Sequence, residues 1–251
     1  MNKFSPNSSN IYMKTLFFFL SLVMIQLTHA QEDLDAYEIM AKARYVSSLS
    51  KHDLSGNLKK NGRKVPMKLY MRGKDIQMQY QPSEGQGWQG IHLQLKNDSC
   101  DLYDVYGSEM TKFSDEKIGQ SIANTDLSFE DVSMRFLYWP SPEIVGEETI
   151  MAQGCHIIRV YNPNLLQGNY AVCDLWIHKK AGALMRVKAF DQRAQHIKTF
   201  EASDLMNVNG EIMMRKMKVE RLKNGRVQSV SYMIFDNPEK RSAKKRVRRL
   251  K

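Results

Sequence analysis

The sequence predicts a mainly antiparallel β protein with a few helices, in which about 10–12 consecutive strands form one highly curved sheet or barrel. Three observations predict it. Apolar and polar residues alternate with period two over most of the chain, Gly and Asn turn signals separate the alternating runs, and the links are too short for the crossovers that parallel strands need.

The chain opens on something other than a strand. Residues 1–30 hold Lys3 and Lys14 and no acid, then the apolar run LFFFLSLVMIQL, then Thr28-His29-Ala30. A basic leader, a short apolar run and a small residue make a signal peptide, with cleavage expected after about Ala30 and the working protein starting near Gln31. The run is short for a membrane span, and an uncleaved anchor is the alternative reading. MKTLFFFLSLVMIQLTHA, from Met13, is a complete signal alone, so translation from Met13 is as reasonable as from Met1. No cysteine follows Ala30, so no lipid anchor is expected at that junction.

Residues 33–49 carry Leu34, Tyr37, Ile39, Met40, Tyr45, Val46 and Leu49 at roughly helical intervals, acids early and bases late, which predicts one amphipathic helix. Alternation follows. Met67, Leu69 and Met71 form one apolar row, then Ile76, Met78 and Tyr80, then Ile91, Leu93 and Leu95, each interleaved with polar residues. Asn61-Gly62, Arg72-Gly73, Glu84-Gly85, Asn97-Asp98 and Tyr106-Gly107 mark the turns. Further strands are expected at 144–152, 155–161, 170–178, 183–190, 196–204, 212–221 and 226–235, with Asn224-Gly225 as a tight hairpin turn. One stretch departs from alternation. In 124–139, NTDLSFEDVSMRFLYW, Ser128 and Asp131 make a variant capping box, and Phe129, Val132, Phe136 and Leu137 share a helical face. A short helix is expected there, either a lid over a barrel mouth or a plug in the core.

Charge divides the chain unevenly. Of 37 basic residues, two lie in the first thirty and eight in 240–251, so 31–239 holds 27 basic against 27 acidic residues. A neutral, exported body argues against nucleic acid as partner. The tail's density of like charge predicts disorder, and an anionic membrane surface is a candidate partner for it. Cys100, Cys155 and Cys173 match no zinc spacing. Cys155 and Cys173 flank the turn-rich 162–169, and in a simple hairpin they would sit nearly opposite, as a disulfide in an oxidising compartment requires. No nucleophile elbow, zinc-protease motif or phosphate loop occurs, and His52, His92, His156, His178 and His196 are scattered, so neither catalysis, a metal nor a cofactor is expected.

Residues 124–132, NTDLSFEDV, resemble the T-D-[FL]-S-[YF]-E-D box of bacterial outer-membrane lipoprotein-sorting proteins. As in that family, the box is followed by G-C-H-I-I (154–158), a Y-x-x-x-x-L-W-I strand (170–177) and an R-V-K-A-F-D strand (186–191). The resemblance covers most of 33–236 and leaves out the first thirty residues and the tail. It implies a half-open antiparallel β-barrel with an N-terminal helix and a lid helix, working in the periplasm. It also implies a monomeric carrier that takes lipoprotein acyl chains or other lipids toward the outer membrane, between an inner-membrane transporter and an outer-membrane acceptor. A non-catalytic binding or scaffold module beside an exporter is the alternative. Met67, Leu69, Met71, Ile76, Met78, Ile91, Leu93, Met213 and Met217 are the expected cavity lining, methionine being unbranched and polarizable enough to meet varied chains, with ordinary core filling as the alternative for the methionines.

Overall fold

The computed structural model describes residues 35–238 except 50, 84 and 209. The chain divides after Asp35, and the architecture below belongs to the unit that starts at Ala36. The expected signal peptide and basic tail lie outside the described residues.

Helix α1, Ala36–Ser47, lies within the expected 33–49 and buries Ile39, Met40 and Ala43. The strands then run β1 Asp53–Lys60, β2 Arg63–Arg72, β3 Asp75–Tyr80, β4 Gln89–Leu95, β5 Cys100–Tyr106 and β6 Glu109–Lys112. After the connecting segment 113–142 come β7 Glu143–Ile150, β8 Gln153–Tyr161, β9 Val172–His178, β10 Leu184–Phe190, β11 His196–Val208, β12 Glu211–Lys223 and β13 Arg226–Phe235. Among the described residues this makes 13 strands in one open antiparallel sheet, ordered β6-β5-β4-β3-β2-β1-β13-β12-β11-β10-β9-β8-β7. The expected 10–12 falls short because β1, β5 and the four-residue β6 alternate weakly and do not stand out from their neighbours.

The expected turns are where the sheet reverses. Asn61 and Gly62 (φ 49° and 79°) and Asn224 and Gly225 (φ 52° and 71°) take the left-handed conformations that match a two-residue turn to the strand twist. Register shifts in β7, β10, β11 and β12 add local bend and twist. The chain is thus two meanders, β1–β6 and β7–β13, joined by pairing of β1 with β13. The free edges, β6 and β7, are consecutive in sequence, and 113–142 runs between them. Both edges carry charge: β6 is exposed throughout, and β7 presents Glu143, Glu147 and Glu148, which discourages pairing with another chain.

One sheet face buries the main core, closed over by α1 and by residues of the connecting segment, including Ile118, Ile122, Leu127, Phe136 and Leu137. Here the single expected helix across 124–139 is corrected. Helix α2 is only Phe129–Ser133; Met134 then adopts φ 49°, ψ 30°, and a 3-10 turn follows at Arg135–Tyr138. The left-handed residue ends the α-helical hydrogen bonding, so the four apolar residues are not one continuous helical stripe. Phe129, Phe136 and Leu137 are nevertheless buried, with Val132 packed against them.

The Cys155–Cys173 bridge is also corrected. The ladder sets Cys155 against His178 and Cys173 against Val160, five residues from Cys155. An odd separation on a regular strand means opposite faces. Cys173 joins the main core and Cys155 a second cluster with Ile150, Trp176, Met185 and Ala202. All three thiols are free.

Candidate functional site

The residues expected to line a cavity share the main core. Met67, Met71, Ile76, Met78, Ile91 and Leu93 are buried in it, and Leu69, Met213 and Met217 pack against it partly exposed. They lie on β2, β3, β4 and β12, on the face that α1 and the 113–142 segment cover. The recess beside Ile118, Phe136 and Trp139 holds only about 30 Å³. A second, lined by Lys60, Asn61, Arg63, Val65 and 123–125, holds about 190 Å³, and a third, an open polar depression at 94–98 with Lys74 and Asp75, about 710 Å³. Ligand pockets are enclosed, mostly apolar spaces of roughly 300–1,000 Å³. The first two are too small, and the third is neither enclosed nor apolar. Among the described residues, side chains of α1 and of 113–142 pack against this apolar face.

What holds that cover is the 125–131 box. Thr125 Oγ1 donates to the Ile122 carbonyl at 2.8 Å and accepts from the Leu127 amide at 3.2 Å, closing a local turn. Asp126, fully buried, accepts from Lys60 Nζ at 2.7 Å and from the hydroxyls of Ser229 at 2.6 Å and Ser231 at 2.8 Å. Burial alone would raise its pKa, but these three donors outweigh that and hold the carboxyl below the usual aspartate range. Lys60 and Ser231 are register partners on β1 and β13. Asp126 therefore staples the seam between the two meanders from the core side.

Ser128 caps α2 by accepting from the Asp131 amide, while Asp131 Oδ2 accepts from the Ser128 amide at 2.7 Å. The same oxygen accepts from Lys198 Nζ on β11 at 2.7 Å, and Oδ1 accepts from the Tyr170 hydroxyl. Burial, then the neighbouring Asp131 and Glu130 charges, push the Tyr170 phenol well above its ordinary value, so it stays a donor. Glu130 points the other way. Its two oxygens accept the backbone amides of Asn169 at 2.8 Å and Tyr170 at 3.2 Å under the 162–170 loop. Desolvation nonetheless pushes its pKa up to about 7. Gly168 is required there: at φ 81° a Cβ would lie 2.2 Å from a Glu130 oxygen.

The remaining cover is held differently. Met40, Ile39 and Ala43 anchor α1 by apolar packing. Its polar ties include Arg44 Nη1 to the Leu137 carbonyl at 2.8 Å, with the guanidinium 5.6 Å over the Tyr138 ring, and Lys42 Nζ to the Lys180 carbonyl at 2.8 Å. The cover thus has a bolted half, 125–131, and a half attached mainly through side chains, α1 with 135–138.

The sequence marked the box but missed its partners on the sheet. Lys60, Lys198, Ser229 and Ser231 sit at core-facing positions, Lys198 on the same face as Phe200 and Ser231 as Met233. A polar residue at apolar parity was the available signal. The histidines stay apart: His52 pairs with Glu211, His92 with Asp75 and His156 with Glu147, while His178 meets Gln153 and His196 meets Thr199. Among the described residues no three His, Cys, Asp or Glu side chains converge to hold a metal ion, and no buried side-chain nitrogen or oxygen lacks a partner.

A family model whose description reads "-like: Uncharacterized protein" matches residues 81–245, well over half of the chain. No curated protein matches. Solved structures do. A DUF1329-family protein from Desulfovibrio piger superposes with TM-score 0.61 at 18% identity, over 80% of this chain and 90% of its own. A putative outer membrane lipoprotein-sorting protein domain from Vibrio parahaemolyticus gives TM-score 0.61 at 13% identity, over 81% and 92%. A LolA-superfamily protein from Nitrosomonas europaea gives 0.57 at 15%, over 82% and 96%. The fold is that of the lipoprotein-sorting domains, as the sequence resemblance implies, with the sheet left open.

Proposed function

The chain belongs to the family whose model matches residues 81–245, and from this premise we propose that it is a non-catalytic periplasmic carrier. In this reading the apolar sheet face takes up lipoprotein acyl chains or other lipids and moves them toward the outer membrane. The observation that carries it is the divided cover: an apolar, methionine-rich sheet face whose lid is bolted by buried ion pairs on one half and held by a few side chains on the other. A chain would enter by displacing α1 and the 135–138 turn while 125–131 keeps the two meanders together.

The opposing magnitudes are comparable. Burying a sixteen-carbon chain at about 0.8 kcal/mol per methylene gains on the order of 12 kcal/mol. Displacing α1 and the 135–138 turn re-exposes Ile39, Met40, Phe136 and Leu137, at roughly 1.5–3 kcal/mol each. Loading is then close to balanced, and the returning cover drives release. The export signal supports a periplasmic site of action, with an inner-membrane transporter as donor, an outer-membrane acceptor, and a monomer in transit. The eight basic residues of 240–251 suit an anionic membrane surface.

The close packing of α1 and 113–142 on the apolar face, among the described residues, favours a second reading, a binding or scaffold module beside an exporter. Lipid extraction of the purified mature protein, followed by mass spectrometry and titration with a fluorescent fatty acid, separates the two. Bound lipid or saturable probe binding supports the carrier. A protein that is consistently empty and has no affinity for the probe leaves the scaffold.

A further inference from the structure

The core accounts for one face of the central strands, and the other face has a chemistry of its own. In β1 and β2, Leu58 opposes Val65 and Gly56 opposes Met67 on the core side, so Lys59, Lys64, Pro66 and Lys68 point away from it. In β13 and β12 the core takes Met233 and Val219, so Tyr232, Ile234, Lys216 and Lys218 point away. The ladder then aligns them. Lys64 opposes Lys59, Lys59 opposes Tyr232, and Tyr232 opposes Lys218, while Lys216 opposes Ile234 one row on. Lys216 Nζ lies 4.3 Å from the Tyr232 ring centre and Lys68 Nζ 4.4 Å from that of Trp88.

Carboxylates on this face are few and paired: Asp53 with Arg72 at the far end of β1 and β2, Glu220 with Lys218, and, one strand further, Glu201 with Arg186. Lys59, Lys64, Lys68 and Lys216 make no ion pair among the described residues. Four adjacent strands at about 4.8 Å spacing set these amines side by side. Long lysine stems beside Tyr and Trp suit an interface that is apolar on one side and wet on the other.

We propose that the outward face of β2-β1-β13-β12 docks on an anionic phospholipid surface. Charge complementarity selects the occupant: unpaired lysines, not arginine forks, spread over four strands recognise a diffuse layer of phosphates better than a shaped acidic protein. The location agrees. Strand β13 ends in this face, where the Asp236 amide donates to the Ser55 carbonyl at 2.8 Å, and the eight basic residues of 240–251 follow within a few residues. The docking does not depend on whether the interior carries lipid.

The test uses the full mature chain and co-sedimentation with phosphatidylcholine vesicles, with and without phosphatidylglycerol. A triple variant Lys59→Glu, Lys64→Glu, Lys216→Glu is compared with a control of equal charge change elsewhere, Lys74→Glu, Lys180→Glu, Lys223→Glu. Circular dichroism and urea unfolding confirm that both fold. The face variant should lose on the order of a hundredfold in partitioning to anionic vesicles, about fivefold per lysine, and the control far less. Equal losses in both would reduce the effect to net charge and the tail, and overturn the proposal. So would unaltered binding by the face variant, or wild-type binding to polyglutamate with none to vesicles. Lipid extraction, run in parallel, reports on the interior alone.

Discussion

Glu130 is a carboxyl group sealed beneath the 162–170 loop, and ionising it costs more in the folded chain than in the unfolded one. Its pKa rises from 4.5 to about 7, burial being the largest cause. Between those values the native state binds more protons, so this group's stabilising contribution is full below pH 4.5 and is lost as pH rises through about 7. The loss amounts to up to about 3 kcal/mol. His156 and His196, whose pKa values burial lowers, work in the opposite sense below pH 6.5, so the informative quantity is a difference between proteins. Glu130→Gln should remove the decline in Tm between pH 5 and 8, while costing about 1–2 kcal/mol at pH 5 because the amide nitrogen cannot accept one of the two backbone N–H groups. A wild-type-like pH slope in the variant would place the titration elsewhere. Lys198 poses the complementary case. Lys198→Met leaves Asp131 buried and unpaired, which should cost about 3–5 kcal/mol in urea unfolding, and adding Asp131→Asn should recover part of it. The box carboxylates were legible as a motif. Their meaning was not, because the groups that satisfy them lie 39 to 105 residues away in sequence, and no local pattern encodes such a pairing.

At the scale of elements, what the sequence disclosed followed from period and turn chemistry. Asn61-Gly62 and Asn224-Gly225 were readable because left-handed φ at both turn residues restricts the choice of side chain. The break in 124–139 was hidden, because Met134 at φ 49° has no side-chain signature for that conformation. Tertiary packing of Phe136 and Leu137 overrides it. The disulfide failed on register: the turn-rich 162–169 link leaves the parity of Cys155 relative to Cys173 open in the sequence, and the ladder sets them on opposite faces. The attachment of α1 is testable at this scale. Arg44→Ala removes the bond to the Leu137 carbonyl and the contact with Tyr138, with a global cost of about 1–2 kcal/mol. Amide exchange in 36–47 should accelerate while that in 127–133 does not change, and a fluorescent fatty acid should load faster. Equal acceleration in both segments would mean that the cover opens as one body, against the divided lid.

At the scale of the whole unit, the sheet depends on one non-local pairing. The two meanders are each built from hairpins, whereas β1 meets β13 across nearly the whole chain, at five register positions from Gly56–Phe235 to Lys60–Ser231. Two features guard this seam. Asp126 bonds to Lys60 on one side and to Ser229 and Ser231 on the other. Gly56 lets the backbones meet, since a Cβ there would lie 2.1 Å from the Ile234 carbonyl oxygen. Because that neighbour is backbone in a ladder, no rotamer can relieve the contact, and β1 must move away from β13. Gly56→Ala should therefore cost about 3 kcal/mol in urea unfolding, at the upper end for a single added methyl. Hydrogen exchange should localise the damage, with β1 and β13 losing protection while β8–β10 keep theirs. Asp126→Asn acts on the same seam, so its cost should shrink in the Gly56→Ala background, a coupling on the order of 1 kcal/mol in a double-mutant cycle. Strict additivity would show that Asp126 supports the connecting segment alone and that the seam stands on its backbone ladder.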